Sequence, residues 1–277
     1  MKSRLAASHA FYLKPLLFGL DRVDSPFELV VDIPANNSIK LSKRSEGIRN
    51  AFLSPIDYAR HGGEYRIVPN ICVASSRPSN TIQLVLKSNL HNIERIAIDV
   101  RFTSEIILAN IILLEKYRSQ STHSKLQFIP MMPDIDAMLA KADAALIVQD
   151  IPHVIDRAET FTLDLVEEWN DLTGLPYVHG FWVGREQELS NTEVQALFAA
   201  KKNGVLLKSQ IAQSVAQQKN LSISDITEYI STFSYDFSEQ EEASVAEFIH
   251  YAYFHGIIGD VPEIQFFDVE TSNPSQN

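Results

Sequence analysis

Over its first two-thirds the chain alternates short apolar runs with amphipathic stretches, and this alternation restricts the fold more than any other feature. The runs Phe27 to Asp32, Asn50 to Leu53, Ile71 to Ala74, Ile96 to Ile98, Leu126 to Pro130 and Ala144 to Val148 have the length of strands. Arg4 to Phe11, Tyr65 to Val68 and Val178 to Trp182 read the same way. Between them, helical patterns fall at Pro15 to Leu20, Asn36 to Ser42, Pro55 to Arg60, Thr81 to Lys87, Ser104 to Tyr117, Ile135 to Ala140 and Leu163 to Leu172. Strands separated by helices predict an α/β fold with a largely parallel sheet, because parallel neighbours need a crossover that is usually a helix. Beyond Arg185 the pattern turns helical. Ser190-Asn191-Thr192-Glu193 and Ser238-Glu239-Gln240-Glu241 are capping boxes, and Ser222-Ile223-Ser224-Asp225 opens a third helix.

A chain of 277 residues, 45% of them hydrophobic, can fill one large core or two medium ones. Without a Gly-rich phosphate loop, it fits two lobes around a cleft. The expected joints lie near Arg95 to Asp99 and His179 to Arg185, with 1–95 plus 183–277 in one lobe and 96–182 in the other. A formal net charge of -11 argues against nonspecific nucleic-acid or anionic-membrane binding, yet leaves room for a locally positive pocket. Cys72 is the only cysteine, so no intrachain disulfide forms. The longest apolar stretch, Ile106 to Leu114, is interrupted by Asn110, and no signal-peptide core follows the N-terminus. The expectation is a soluble cytoplasmic protein with no membrane partner.

One local pattern recurs: a strand ends, a hydroxyl or carboxylate residue follows, and a helix starts. Leu53-Ser54-Pro55 does this with Ser54 as N-cap and Asp57 completing a box. Asp99 leads to Thr103-Ser104, Ala74 to Ser75-Ser76 and on to Thr81, and Val148 to Gln149-Asp150. Each corner alone reads as a helix cap. As a set at the carboxyl ends of strands, with helix N-termini offering N–H groups, they read as a clamp for a small carboxylate that needs no metal and no cofactor. The histidines carry no H-x-x-x-H spacing with carboxylate support, and His250 and His255 are five apart, so no metal site is expected. His179 reads as a core or hinge histidine or as a general base. Trp169 and Trp182 read as packing, and Glu167-Glu168 as a solvated face.

The segment Asp164-Leu165 through Trp169 to Thr173-Gly174-Leu175-Pro176-Tyr177-Val178 resembles the D-L-x-x-x-W-x-x-x-T-G-L-P-[FY]-V pattern of menaquinone-pathway chorismate dehydratases. Ala51 to Arg60 followed by Tyr65-Arg66-Ile67-Val68-Pro69, Ile71 to Ser75, the Asp99 and Thr103-Ser104 corner, and Tyr229 to Ile257 extend the likeness over nearly the whole chain. The resemblance implies a two-lobed type II periplasmic-binding-protein-like fold with a ligand cleft between the lobes. It also implies dehydration of chorismate to 3-[(1-carboxyvinyl)oxy]benzoate on the futalosine route. The family's Y-L-N-x-x-P-L segment is here Ala10-Phe11-Tyr12-Leu13-Lys14-Pro15-Leu16, so Tyr12 stands at its Asn; its S-x-G-P-V-x-S loop is Ser75-Ser76-Arg77-Pro78-Ser79-Asn80-Thr81. On this reading Ser75 and Tyr12 are the catalytic candidates. Ser54, Ser76, Arg77, Thr81, Thr103, Ser104 and Asp150 bind the substrate. Two alternatives remain beside the lyase: a non-catalytic small-carboxylate binding protein of the same fold, and the related 1,4-dihydroxy-6-naphthoate synthase.

Overall fold

The computed structural model describes residues 2–61, 63–88, 92–117, 126–150, 155 and 160–269. The chain opens with β1 (Ser3–Ala7), a 3-10 turn (Phe11–Leu13), α1 (Lys14–Leu17), β2 (Phe27–Val31), α2 (Pro34–Ser42), β3 (Ile48–Leu53), α3 (Pro55–Ala59) and β4 (Arg66–Ser75). It then builds β5 (Ile82–Lys87), β6 (Arg95–Ile98), α4 (Thr103–Ile112) with a π-helical turn (Leu113–Tyr117), β7 (Gln127–Pro130), α5 (Ile135–Lys141), β8 (Ala144–Val148) and β9 (Thr160–Asp164). The remaining elements are α6 (Leu165–Thr173), β10 (Tyr177–Gly184), α7 (Asn191–Leu206), α8 (Lys208–Lys219), α9 (Ile223–Ser231), β11 (Phe233–Ser234) and α10 (Glu239–Phe254).

The strands form two sheets, one ordered β11-β4-β10-β3-β1-β2 and the other β7-β6-β8-β5-β9. Pairing is parallel in β1 with β2 and β3, and in β6 with β7 and β8. It is antiparallel wherever β10 or β5 takes part. These two strands, entering after the chain changes sheet, make both sheets mixed rather than largely parallel.

The helix expected at Thr81 to Lys87 is a strand. Ile82 and Leu84 pack into one core cluster and Val85 into another, a period of two that the buried Gln83 obscures in the sequence. β5 therefore belongs to the second sheet and the whole of β10 to the first. The chain changes sheet between Ser75 and Ile82 and again along α6, earlier than the joints expected near Arg95 to Asp99 and His179 to Arg185. The two strands expected on either side of Pro69 are one strand, β4, bent at Asn70, which takes a left-handed φ of 60°.

The return crossing is made rigid by its sequence. Asp164 caps α6, its Oδ1 accepting from the Val166 and Glu167 N–H groups. Gly174 ends the helix with φ 71°, a conformation that a side chain resists. Thr173 Oγ1 donates to the Trp169 carbonyl at 2.8 Å and accepts from the Leu175 N–H at 3.1 Å. Trp169 is fully buried, and its indole N–H donates to Ser244 Oγ on α10, which in turn donates to the Pro176 carbonyl. Ser244 of α10 thus ties the middle of α6 to the turn that follows it.

Candidate functional site

Where the two sheets' helices meet lies a partly enclosed cavity of about 20 Å³, room for roughly one water. Its wall is built from the chain just past the carboxyl ends of strands. Tyr12 follows β1, Asn37 sits in the first turns of α2 after β2, Ser54 and Asp57 start α3 after β3, and Thr103, Ser104 and Glu105 start α4 after β6. β10 contributes His179 from behind. Neither α2 nor α4 has a side-chain cap, so the first-turn N–H groups of α4 reach the cavity wall without one. No lysine or arginine is among the described residues lining it.

The polar groups differ in how committed they are. Ser54 Oγ accepts from the Asp57 N–H at 3.3 Å and donates to Asp57 Oδ2 at 2.8 Å, while Arg60 lies 3.7 Å from the same carboxylate. Ser54 is thus a helix cap as well as a wall residue. Burial, only partly offset by Ser54, raises the Asp57 pKa. His179 Nε2 is 2.8 Å from Ser75 Oγ, and its ring lies among Tyr12, Tyr177 and Phe233 at centroid distances of 5.1, 4.9 and 5.3 Å. Burial in this aromatic nest pushes its pKa down to about 3, so the imidazole is neutral. Burial likewise drives the Tyr12 hydroxyl well above its ordinary pKa, keeping it a donor, and among the described residues that hydroxyl has no hydrogen-bond partner. Glu105 is half-buried; desolvation, reinforced by Asp57, lifts its pKa to about 7. Asn37 is 1% exposed, and its Oδ1 has no partner among the described residues.

The structure brings Tyr12, Ser54, Thr103 and Ser104 together on the cavity. Ser75 reaches it through His179. Asp150 stands next to the wall: its Oδ1 accepts the Phe11 N–H at 3.1 Å, tying the end of β8 to the turn that carries Tyr12. Burial raises the Asp150 pKa to about 6. Thr81 is buried outside the lining, its hydroxyl donating to Tyr229 OH at 3.4 Å. Ser76 and Arg77 are exposed outside the cavity, because the chain turns away between β4 and β5. Asn37 and Glu105 stand outside the sequence-based candidates, and Asp57 figures among them only as part of a cap. Glu105 follows Thr103-Ser104 directly, so its first-turn position was a usable signal; Asn37 carried none. Among the described residues, no group of three or more His, Cys, Asp or Glu side chains is placed to hold a metal ion, and no helix is long and apolar enough to cross a membrane.

Known proteins share this geometry's scaffold. The family profile described as menaquinone biosynthesis matches residues 4–254. The chain belongs to that menaquinone biosynthesis family. The chorismate dehydratase of Thermus thermophilus is 23% identical over 233 residues, covering 80% of this chain and 85% of the relative. Among solved structures, protein AF1704 from Archaeoglobus fulgidus superposes with a TM-score of 0.71 at 18% identity, over 93% of this chain and 98% of that one. The periplasmic aliphatic sulphonate binding protein SsuA from Escherichia coli gives a TM-score of 0.62 at 12% identity, over 99% and 94%. This member of the family therefore has the two-lobed periplasmic-binding-protein fold, and the cavity occupies its cleft.

Proposed function

We propose that the protein is a chorismate-dehydratase-like lyase of menaquinone biosynthesis, converting chorismate to 3-[(1-carboxyvinyl)oxy]benzoate and water. One observation carries the reading: in a chain of this family, an unpartnered Tyr12 hydroxyl, a neutral His179 and the uncapped start of α4 meet in the cleft. The likeness to the Thermus thermophilus enzyme supports the same reaction. Dehydration removes a proton from one ring carbon and hydroxide from its neighbour, and the gain of aromaticity drives it. The site then needs to hold the ring and stabilise charge, which helix N–H groups and Tyr12 supply for the carboxylates. Asn37 adds an amide acceptor from α2. A dicarboxylate far exceeds the cavity's volume, so the lobes part to admit it and close upon it.

A second reading, a small-carboxylate binding protein without turnover, draws on the fold shared with SsuA and on Tyr12 standing at a position where the resembling enzymes carry an amide. One assay separates them. Purified protein mixed with chorismate is expected to give a new aromatic ultraviolet absorbance, and Tyr12→Phe to slow it about tenfold or more. Binding by calorimetry with no product over hours selects the binding protein; neither binding nor product removes both readings.

A further inference from the structure

We propose that Glu105 is a catalytic residue of this site, relaying one proton from the substrate's ring carbon to its departing hydroxyl. The inference rests on the lyase reading above and adds the group that moves the proton.

Two carboxyl groups of the described residues line the cavity, and only one is without a side-chain partner there. Asp57 is held by the Ser54 hydroxyl at 2.8 Å and neighboured by Arg60 at 3.7 Å. Among the described residues Glu105 has no ion pair and no hydrogen bond to another side chain; its carboxyl accepts its own backbone N–H and projects from the first turn of α4 beside Thr103 and Ser104. The groups facing it are Tyr12 from the 3-10 turn, Asp57 from α3, and Tyr177 and His179 from β10; none is a cation. A carboxyl kept in such a place without a neighbouring cation costs stability, and sites of this kind concentrate where chemistry happens.

The neighbours are poorly suited to moving that proton. His179 is a weak base with its Nε2 engaged by Ser75, and Tyr12 holds its proton far above neutrality. Glu105, near 7, populates both forms at neutral pH. The substrate's stereochemistry allows one carboxylate to suffice. In chorismate the hydrogen on the ether-bearing ring carbon and the hydroxyl on the next carbon lie on the same face of the ring. The C–H bond breaks, its proton passes to a Glu105 oxygen, and its electron pair becomes the third ring double bond. The adjacent C–O bond breaks with its pair on oxygen, the same proton bonds to that oxygen, and water leaves. Glu105 ends as the carboxylate it began as, and nothing is oxidised or reduced.

The test compares wild type, Glu105→Gln and Glu105→Asp in chorismate turnover from pH 5 to 9, with chorismate affinity measured by calorimetry and folding checked by thermal melting. In the wild type, kcat/KM is expected to rise with pH through one ionisation near 7 to a plateau. Glu105→Gln should lose about 100-fold or more in turnover, keep its affinity within about threefold, and show no such limb; Glu105→Asp should restore part of the rate. If Glu105→Gln turns over within about threefold of wild type with the limb intact, the relay is overturned while the lyase reading stands. Lost binding in place of lost turnover also overturns it, by making Glu105 a binding group. A wild type that yields no product overturns the lyase reading and the relay with it.

Discussion

Glu105 and His179 show opposite responses to one cause. Removal from water penalises whichever form is charged, so the carboxyl rises to about 7 and the imidazole falls to about 3. For Glu105 the consequence for stability has a definite sign. Its folded pKa lies above the unfolded value near 4.3, so the folded state holds this proton more tightly. The contribution is complete below about pH 4 and is lost as the pH rises through about 7. Glu105→Gln, which cannot ionise, is therefore expected to be more stable than wild type at pH 8 by about 1–3 kcal/mol, after allowance for partial solvent screening, and nearly equal at about pH 4. Urea denaturation at the two pH values measures it. Equal stability gaps at both pH values would remove the desolvated charge from the account. At this scale the sequence was informative only in part. Tyr12, Ser75 and the Thr103-Ser104 corner were visible because they occupy pattern positions. Glu105 was signalled only by its first-turn place beside that corner and Asn37 not at all, because what distinguishes them is their placement on the cavity in three dimensions.

Among the elements, the helix–turn–strand of Asp164 to Tyr177 was the best marked in the sequence and is the most tightly specified in space. Its distinctive residues divide the work between them. Asp164 caps, Trp169 fills and bonds across to α10, Thr173 closes the last turn and Gly174 turns the chain. Gly174 has φ 71°, with no atom near where a Cβ would lie, so Gly174→Ala probes backbone strain alone. A loss of about 1 kcal/mol is expected in chemical denaturation, with turnover on any substrate unchanged. Gly204 on α7 is a glycine for a different reason, since a Cβ there would run into the Pro15 carbonyl of α1. By contrast β5 carries a helical pattern in its sequence. Its Gln83 is buried through tertiary bonds, its amide donating to the Asn80 carbonyl and accepting the Ile155 N–H, which no local pattern announces.

For the whole molecule, the number of lobes and the cleft were legible in the sequence because strand–helix alternation and chain length constrain them. The joints were not, because one antiparallel strand at each crossing shifts the boundary without altering the local pattern. Among the described residues, contacts across those crossings include Asp150 to the Phe11 N–H, Thr81 to Tyr229, and Ser104 to Tyr177 at 3.4 Å. Asp150→Ala is expected to speed hydrogen exchange at the Phe11 amide by about tenfold while leaving strand amides of β4 and β10 unchanged, as NMR would show. Uniform acceleration across both sheets would mean instead that the contact holds the fold rather than the cleft. A chamber fit for a single water cannot pass a dicarboxylate, so ligand exchange waits on lobe motion, and residence time is set by the molecule's breathing rather than by contact strength alone. Crystals grown in the closed form would then stay empty on soaking, whereas crystals grown with ligand present would fill.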